Sequence, residues 1–181
     1  RQIMDQGKIL IVNLAKGKIG EDASNLLGAL IITSLQLAAM SRVDVPEAER
    51  RDFYLYVDEI QNFATRTFIK ILSEARKYRL RLLLANQYMA QIDPDVQKAI
   101  FGNAGTIVSF VSGAADAGIL EKEYGGVFSQ KDLVPLDRFQ IAVKMTIDSR
   151  MTRPFLAYTL PLPVSKNQNR EKVIKVSRER F

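Results

Sequence analysis

Residues 54–63 read YLYVDEIQNF, an apolar run of strand length that passes straight into Asp58 and Glu59. Buried strands seldom end on two adjacent carboxylates. In open α/β sheets the carboxyl ends of the strands line the ligand crevice, which puts these acids where a ligand sits. Neighbours on a strand project to opposite faces, so the pair cannot form a facing carboxylate dyad of the glycosidase or aspartic-protease kind. Separate roles are required. Nucleoside-triphosphate hydrolysis offers two: one carboxylate holds magnesium, usually through water, while the next orients or deprotonates the attacking water. Asp58 suits the first role and Glu59 the second. The plain alternative is a cap on the following loop or helix, so the flanking sequence has to decide.

Working outward, short apolar runs alternate with helical patterns. KILIVNL (8–14), FYLYV (53–57), RLLLAN (81–86) and TIVSFV (106–111) read as strands, with helices over the uncharged stretch 23–41, over 65–78 and after Asp93. That alternation predicts a mainly parallel sheet under crossover helices, and the solid apolar strands predict cover on both faces. Asp93-Pro94 supplies an N-cap and a proline at the first helical position, and Gly102 closes that helix. Beyond 112 a helical stretch runs to about 124 and stops at Gly125-Gly126. RFQIAVKMTI (138–147) and RPFLAYTL (153–160) then read as a β pair joined by DSRM (148–151), with Pro154 placing the second strand at an edge. The expected division is a domain over 1–164 and a basic charged tail over 165–181.

The stretch 23–41 is nearly long enough to cross a bilayer. Ser24, Asn25, Thr33, Ser34 and Gln36 interrupt it, and Glu21 and Asp22 stand where a helix N-terminus favours negative charge. The expectation is a helix buried inside an α/β protein. The opening residues RQIMDQGK show no secretory-signal pattern, and the chain reads as starting abruptly, as a piece of a longer one would.

Composition narrows the chemistry. The chain has 181 residues, 47% apolar and 25% charged, without cysteine, histidine or tryptophan. This excludes disulfides, Cys/His zinc sites, thiol nucleophiles and imidazole bases, and leaves carboxylates, amides, hydroxyls and cations. The net charge is 26 − 20 = +6, and the tail 165–181, with six Lys/Arg against two Glu, holds +4 of it. The body is therefore nearly neutral, and the basic balance alone does not argue for nucleic acid.

Further candidates flank the acidic pair. The strand RLLLAN leads into Gln87, placed at the same sheet edge, where a glutamine can hydrogen-bond a γ-phosphate or its attacking water; an ordinary loop amide is the alternative. The intervening helix carries an apolar stripe of Phe68, Ile71, Leu72 and Ala75. Arg76 falls at the margin of that stripe, where a cation can either favour the helix macrodipole or reach a neighbouring subunit's site. Lys16 and Lys18, in the loop after the first strand, are candidate phosphate or DNA contacts. No G-x-x-x-x-G-K-[ST] occurs anywhere, so the backbone cradle for phosphates is missing and the chain alone should hydrolyse ATP poorly.

KILIVNLAKGKIGED, YLYVDEIQNFAT, ILSEARKYRLRLLLANQYMAQI and FGNAGTIVSF with GAADAGILEKEYGG, in that order, resemble the C-terminal part of the motor domain of type IV secretion coupling proteins. These are the TraD/TraG-like conjugative ATPases related to HerA and FtsK. The resemblance covers about residues 7–163. It implies a RecA-like P-loop NTPase three-layer sandwich, here partial because the strand and loop bearing Walker A lie upstream. It implies ATP and Mg2+ as cofactors, Asp58 and Glu59 as the Walker B pair, Gln87 as γ-phosphate sensor, and Arg76 as a candidate arginine finger. Relatives often carry an arginine just after the Phe that ends the SF strand, where this chain has Val111. It also implies a hexameric ring that moves DNA, partners among relaxase or secretion-channel proteins, and a place at the cytoplasmic face of the inner membrane through an upstream anchor. Loss of the Walker A strand predicts exposed apolar strand surface. Two other readings compete: a noncatalytic docking module with a basic tail, and a motor that moves another cargo with the same two acids.

Overall fold

The computed structural model describes residues 1–66, 68–164, 167 and 169–180. The chain opens with α1 (Gln2–Asp5), and residues 8–14 follow without joining any sheet. Then come α2 (Lys16–Ile19), α3 (Glu21–Met40), β1 (Phe53–Val57), α4 (Phe68–Glu74) and β2 (Leu80–Leu84). The remainder is α5 (Pro94–Asn103), β3 (Thr106–Ser109), α6 (Ala114–Glu123), α7 (Gln130–Leu133), β4 (Gln140–Ile147), β5 (Arg150–Met151), β6 (Phe155–Tyr158) and α8 (Asn169–Arg180). Short 3-10 turns occupy 60–62, 75–78 and 89–91 among other connections. The tail is helical in α8, while the expected boundary after 164 falls on residues 165 and 166, outside the described residues.

The expected parallel pairing holds for β1 and β2, in register from Phe53 opposite Leu80 to Val57 opposite Leu84. β1 alternates rather than burying both faces. Phe53, Leu55 and Val57 turn inward, whereas Tyr54 and Tyr56 are 54% and 70% exposed. An apolar run of aromatics thus hid a period of two, because tyrosine counts as apolar yet tolerates water at its hydroxyl. β3 pairs antiparallel with β4, which pairs antiparallel with both β5 and β6. Among the described residues, β2 pairs only with β1, and β3 only with β4.

Two expectations need correction. The run 8–14 forms no strand: Ile9 and Ile11 are 90% and 79% exposed, because hydrophobicity alone does not make a strand without a neighbour to accept its ladder. α3 is a helix as expected, but it is not buried. Only Ser24, Gly28, Ile32 and Ala39 lie inside, while Leu26, Leu30 and Leu37 face outward. By length and composition alone it could cross a membrane.

α3 is nevertheless anchored. The buried Ser24 hydroxyl donates to the Leu14 carbonyl at 2.7 Å, and a Cβ on Gly28 would collide with the Phe63 ring, 2.2 Å away. Glycine here lets the helix approach the segment that follows the two acids. Below, Phe68, Ile71 and Ala75 of the expected stripe are buried with Ile60, Leu80 and Val96 in the first core. α5 starts as read: Asp93 accepts from the Asp95 amide at 2.9 Å with Pro94 at the first helical position, although the helix continues through Gly102 to Asn103.

A second core gathers Ala117, Leu120, Tyr124, Leu133, Leu136 and Ala142. The Tyr124 hydroxyl donates to the Ala142 carbonyl at 3.0 Å and lies 2.8 Å from the Ser109 hydroxyl, which ties α6 to β3 and β4. The expected β pair is present as β4 and β6, with β6 at an edge as Pro154 required. Its turn is tighter than the four-residue link. Asp148 and Ser149 both take positive φ and close a two-residue hairpin into β5, the backbone that matches the twist of paired strands.

Candidate active site at the carboxyl tip of the parallel pair

The β1–β2 ladder continues one step past the strands and so assembles the site. The Ala85 amide donates to the Val57 carbonyl at 2.9 Å, and the Ile60 amide donates to the Ala85 carbonyl at 3.0 Å. Between those two bonds, Asp58 and Glu59 bulge out of the sheet edge, with Asn86 and Gln87 opposite. Ile60, 1% exposed, plugs into the first core and fixes the bulge from below.

Glu59 adopts left-handed backbone, φ 52° and ψ 49°, uncommon for a residue with a Cβ. The Asp58 Oδ1 carboxylate accepts the Glu59 amide at 3.0 Å, which supports this turn locally. Both Glu59 oxygens are held by amides: Gln87 Nε2 donates to Oε1 and Gln61 Nε2 donates to Oε2. The structure therefore brings together Glu59 and Gln87, two residues singled out by sequence, with Asp58 adjacent and exposed. Gln61 was not singled out. Its signal was a polar pair, Gln61-Asn62, immediately after the buried Ile60.

Lys16 also converges on this edge. Its ammonium donates to Asn62 Oδ1 at 2.9 Å and to Glu21 Oε1 at 2.6 Å, and it holds the exposed Glu21 carboxyl below its usual range. An open cleft of 570 Å³ is lined by Lys16, Glu21, Glu59, Gln61, Asn62 and Gln91. Lys18 is exposed on α2 and lines none of it. Arg76 sits elsewhere. It is exposed in the turn 75–78 that leads into β2, at the amino edge of the sheet, opposite the acids. Five strand residues separate the two edges, about 17 Å.

Among the described residues no group of three acids could hold a metal by itself. Asp58 does fit magnesium held through water and phosphate oxygens. Its carboxylate is exposed, one oxygen takes the Glu59 amide, and the other meets no donor among the described residues.

A parallel strand pair that ends in adjacent acids on one strand and an amide on the next is what the motif resemblance leads us to expect of a RecA-like fold, and the comparisons with solved structures agree on that fold. Residues 52–123 match the family model described as the TraM recognition site of TraD and TraG. The match covers the segment that holds β1, β2 and β3, where most of the motifs that resemble the TraD/TraG-like proteins lie. Among solved structures it resembles the plasmid coupling protein TrwB in complex with the non-hydrolysable ATP analogue ADPNP, with TM-score 0.61 and 18% identity, covering 83% of this chain and 40% of that one. It also resembles the bacterial conjugative coupling protein TrwBdeltaN70 in its unbound form, with TM-score 0.60 and 16% identity, covering 83% of this chain and 41% of that one. The TrwB complex with the GTP analogue GDPNP gives TM-score 0.59, 17% identity, 83% of this chain and 40% of that one. These likenesses are of fold, and the chain spans well under half the length of those proteins. No curated protein matches it by sequence.

Proposed function

We propose that this chain is the Walker B and sensor portion of an ATP-driven coupling-protein motor that moves DNA. The observation that carries the proposal is the Glu59 carboxylate, half-buried at the carboxyl tip of β1 and hydrogen-bonded to Gln87 from the tip of β2. In this reading Glu59 orients and deprotonates water, Gln87 exchanges its bond with Glu59 for one to a terminal phosphate, and Asp58 holds magnesium through water. Bound magnesium would supply charge neutralisation between the phosphates.

The phosphate cradle belongs to another part of the polypeptide. Among the described residues β2 and β3 each keep an unpaired edge, in two separate sheets that a strand carrying it could join, and the TrwB proteins, more than twice as long as this chain, are known in complex with ATP and GTP analogues. Arg76, on the opposite edge from Glu59, cannot serve its own tip and is assigned to a neighbouring subunit of a ring, hexameric by analogy with the motor family. Lys16 and Lys18 are assigned to DNA phosphates, with Lys16 the better placed. The family description names a TraM recognition site, which supports a TraM-type partner protein; relaxase or channel components and a place at the inner face of the membrane rest on the motif resemblance alone.

The same description is the observation that favours the second reading, a docking module without turnover. Glu59→Gln in the full-length protein separates the two. The motor reading expects ATP turnover to fall by about a hundredfold or more, with nucleotide binding retained. Unchanged turnover would end it.

A further inference from the structure

We infer that Gln61 is a positioning residue for the Glu59 carboxylate, which deepens the motor reading and rests on it. The Gln61 side chain is unfavourable for the fold. Gln61 Nε2 donates to Glu59 Oε2, and this orientation leaves Gln61 Oε1 buried with no hydrogen-bond partner. A buried acceptor without a partner has given up its bond to water and gained none in return, which destabilises the fold. Turning the amide over would bring its oxygen against the carboxylate, so the orphaned acceptor follows from serving Glu59. Folding alone would favour an apolar side chain at 61, able to fill the same space without an unpaired oxygen.

A second cost lies two residues away. Glu59 is held in left-handed backbone, φ 52°, where a residue with a Cβ is disfavoured. Two unfavourable features on neighbouring residues, joined by one hydrogen bond, mark a place where geometry is kept against stability. Gln87 is exposed at the end of β2 and, in the motor reading, must turn to a phosphate. Gln61 follows the buried Ile60 within the 3-10 turn 60–62, and its neighbour Asn62 is braced by Lys16. Gln61 is therefore the fixed anchor. It holds Oε2 so that Oε1 stays aimed at the cleft when Gln87 leaves.

The test uses ATP turnover, KM for ATP and melting temperature of the full-length protein that carries this chain. Gln61→Met removes both the donor and the orphaned acceptor while keeping nearly the same volume. The expected result is a fall in kcat of about ten- to a hundredfold, as for a misaligned catalytic base, with KM and melting temperature unchanged or melting temperature raised. Gln61→Ala should show the same kcat loss, and the methionine variant decides if the alanine one fails to fold. Combined with Glu59→Asp, whose carboxylate is withdrawn by one methylene, Gln61→Met should add little further loss. Wild-type kcat in Gln61→Met overturns the inference, as does a loss that comes with raised KM and lowered melting temperature, or a full additional loss on top of Glu59→Asp. Normal turnover in Glu59→Gln would instead overturn the motor reading itself, so the two failures are distinguishable.

Discussion

The two cores of this chain are built to different standards. Around β3, β4 and α6 the polar groups close on one another. The Tyr124 hydroxyl serves Ser109 and Ala142, its ring meets Phe128 edge-on at 5.7 Å, and Ser129 and Asp132 form a reciprocal capping box at the start of α7. Around β1 and β2 they do not. All three buried polar atoms left without a partner among the described residues, on Asn25, Arg42 and Gln61, lie in this half. So does Glu59 with its left-handed backbone, although Phe139, Asp148 and Ser149 in the other half also take positive φ. The unpaired groups lie in the half that carries the proposed site. The antiparallel half satisfies its buried polar groups, whereas the parallel half keeps unpaired ones; both keep exposed apolar surface, Tyr54 and Tyr56 in one and Val111 and Tyr158 in the other.

The largest expected effect strikes the first core. Phe68 is 1% exposed, and Phe68→Ala should lose about 3–5 kcal/mol in chemical denaturation through its cavity. The halves are linked where the Met89 amide donates to Asp116 at 3.2 Å and Ile119 packs against the first core. One cooperative transition is therefore expected. Two separated transitions would break the comparison into two independent domains.

A smaller effect probes the second core. Tyr124→Phe removes the donor to Ala142 and the partner of Ser109, and should cost about 1–3 kcal/mol without changing ATP turnover of the full-length protein. A turnover loss equal to that of Glu59→Gln would place the function across both halves.

The smallest effect is in pH. Burial raises the Tyr124 hydroxyl above its ordinary value of 10.0, with the Ser109 bonds opposing part of the rise. A raised folded value means that the neutral hydroxyl's contribution is complete below the unfolded value and is lost as pH climbs above it. Wild-type stability should thus decline above about pH 10 more steeply than that of Tyr124→Phe. Equal slopes would remove this hydroxyl from the account.

How far the sequence could be read follows the same division. Asp58, Glu59 and Gln87 were legible because a strand's carboxyl end is visible in one dimension, and a parallel register then brings successive tips together. Arg76 was legible as a cation but not as one on the opposite sheet edge, since that placement depends on the pairing direction of β1 and β2. Gln61 escaped notice because its meaning depends on a turn in which Glu59 goes left-handed, a conformation no side-chain pattern announces. The run 8–14 and α3 were misjudged for a shared reason. Apolar sequence states a demand for burial, but only the neighbouring elements decide whether the demand is met.

The left-handed backbone at Glu59 shapes how this position tolerates exchange. Glycine there would relax the main chain and should raise the melting temperature, while removing the acid and with it the proposed turnover. Alanine would lose the carboxylate and keep the conformational penalty, so its phenotype would mix two causes. Selection for thermal robustness alone would tend to erase this residue, and only selection for work would keep a glutamate in it.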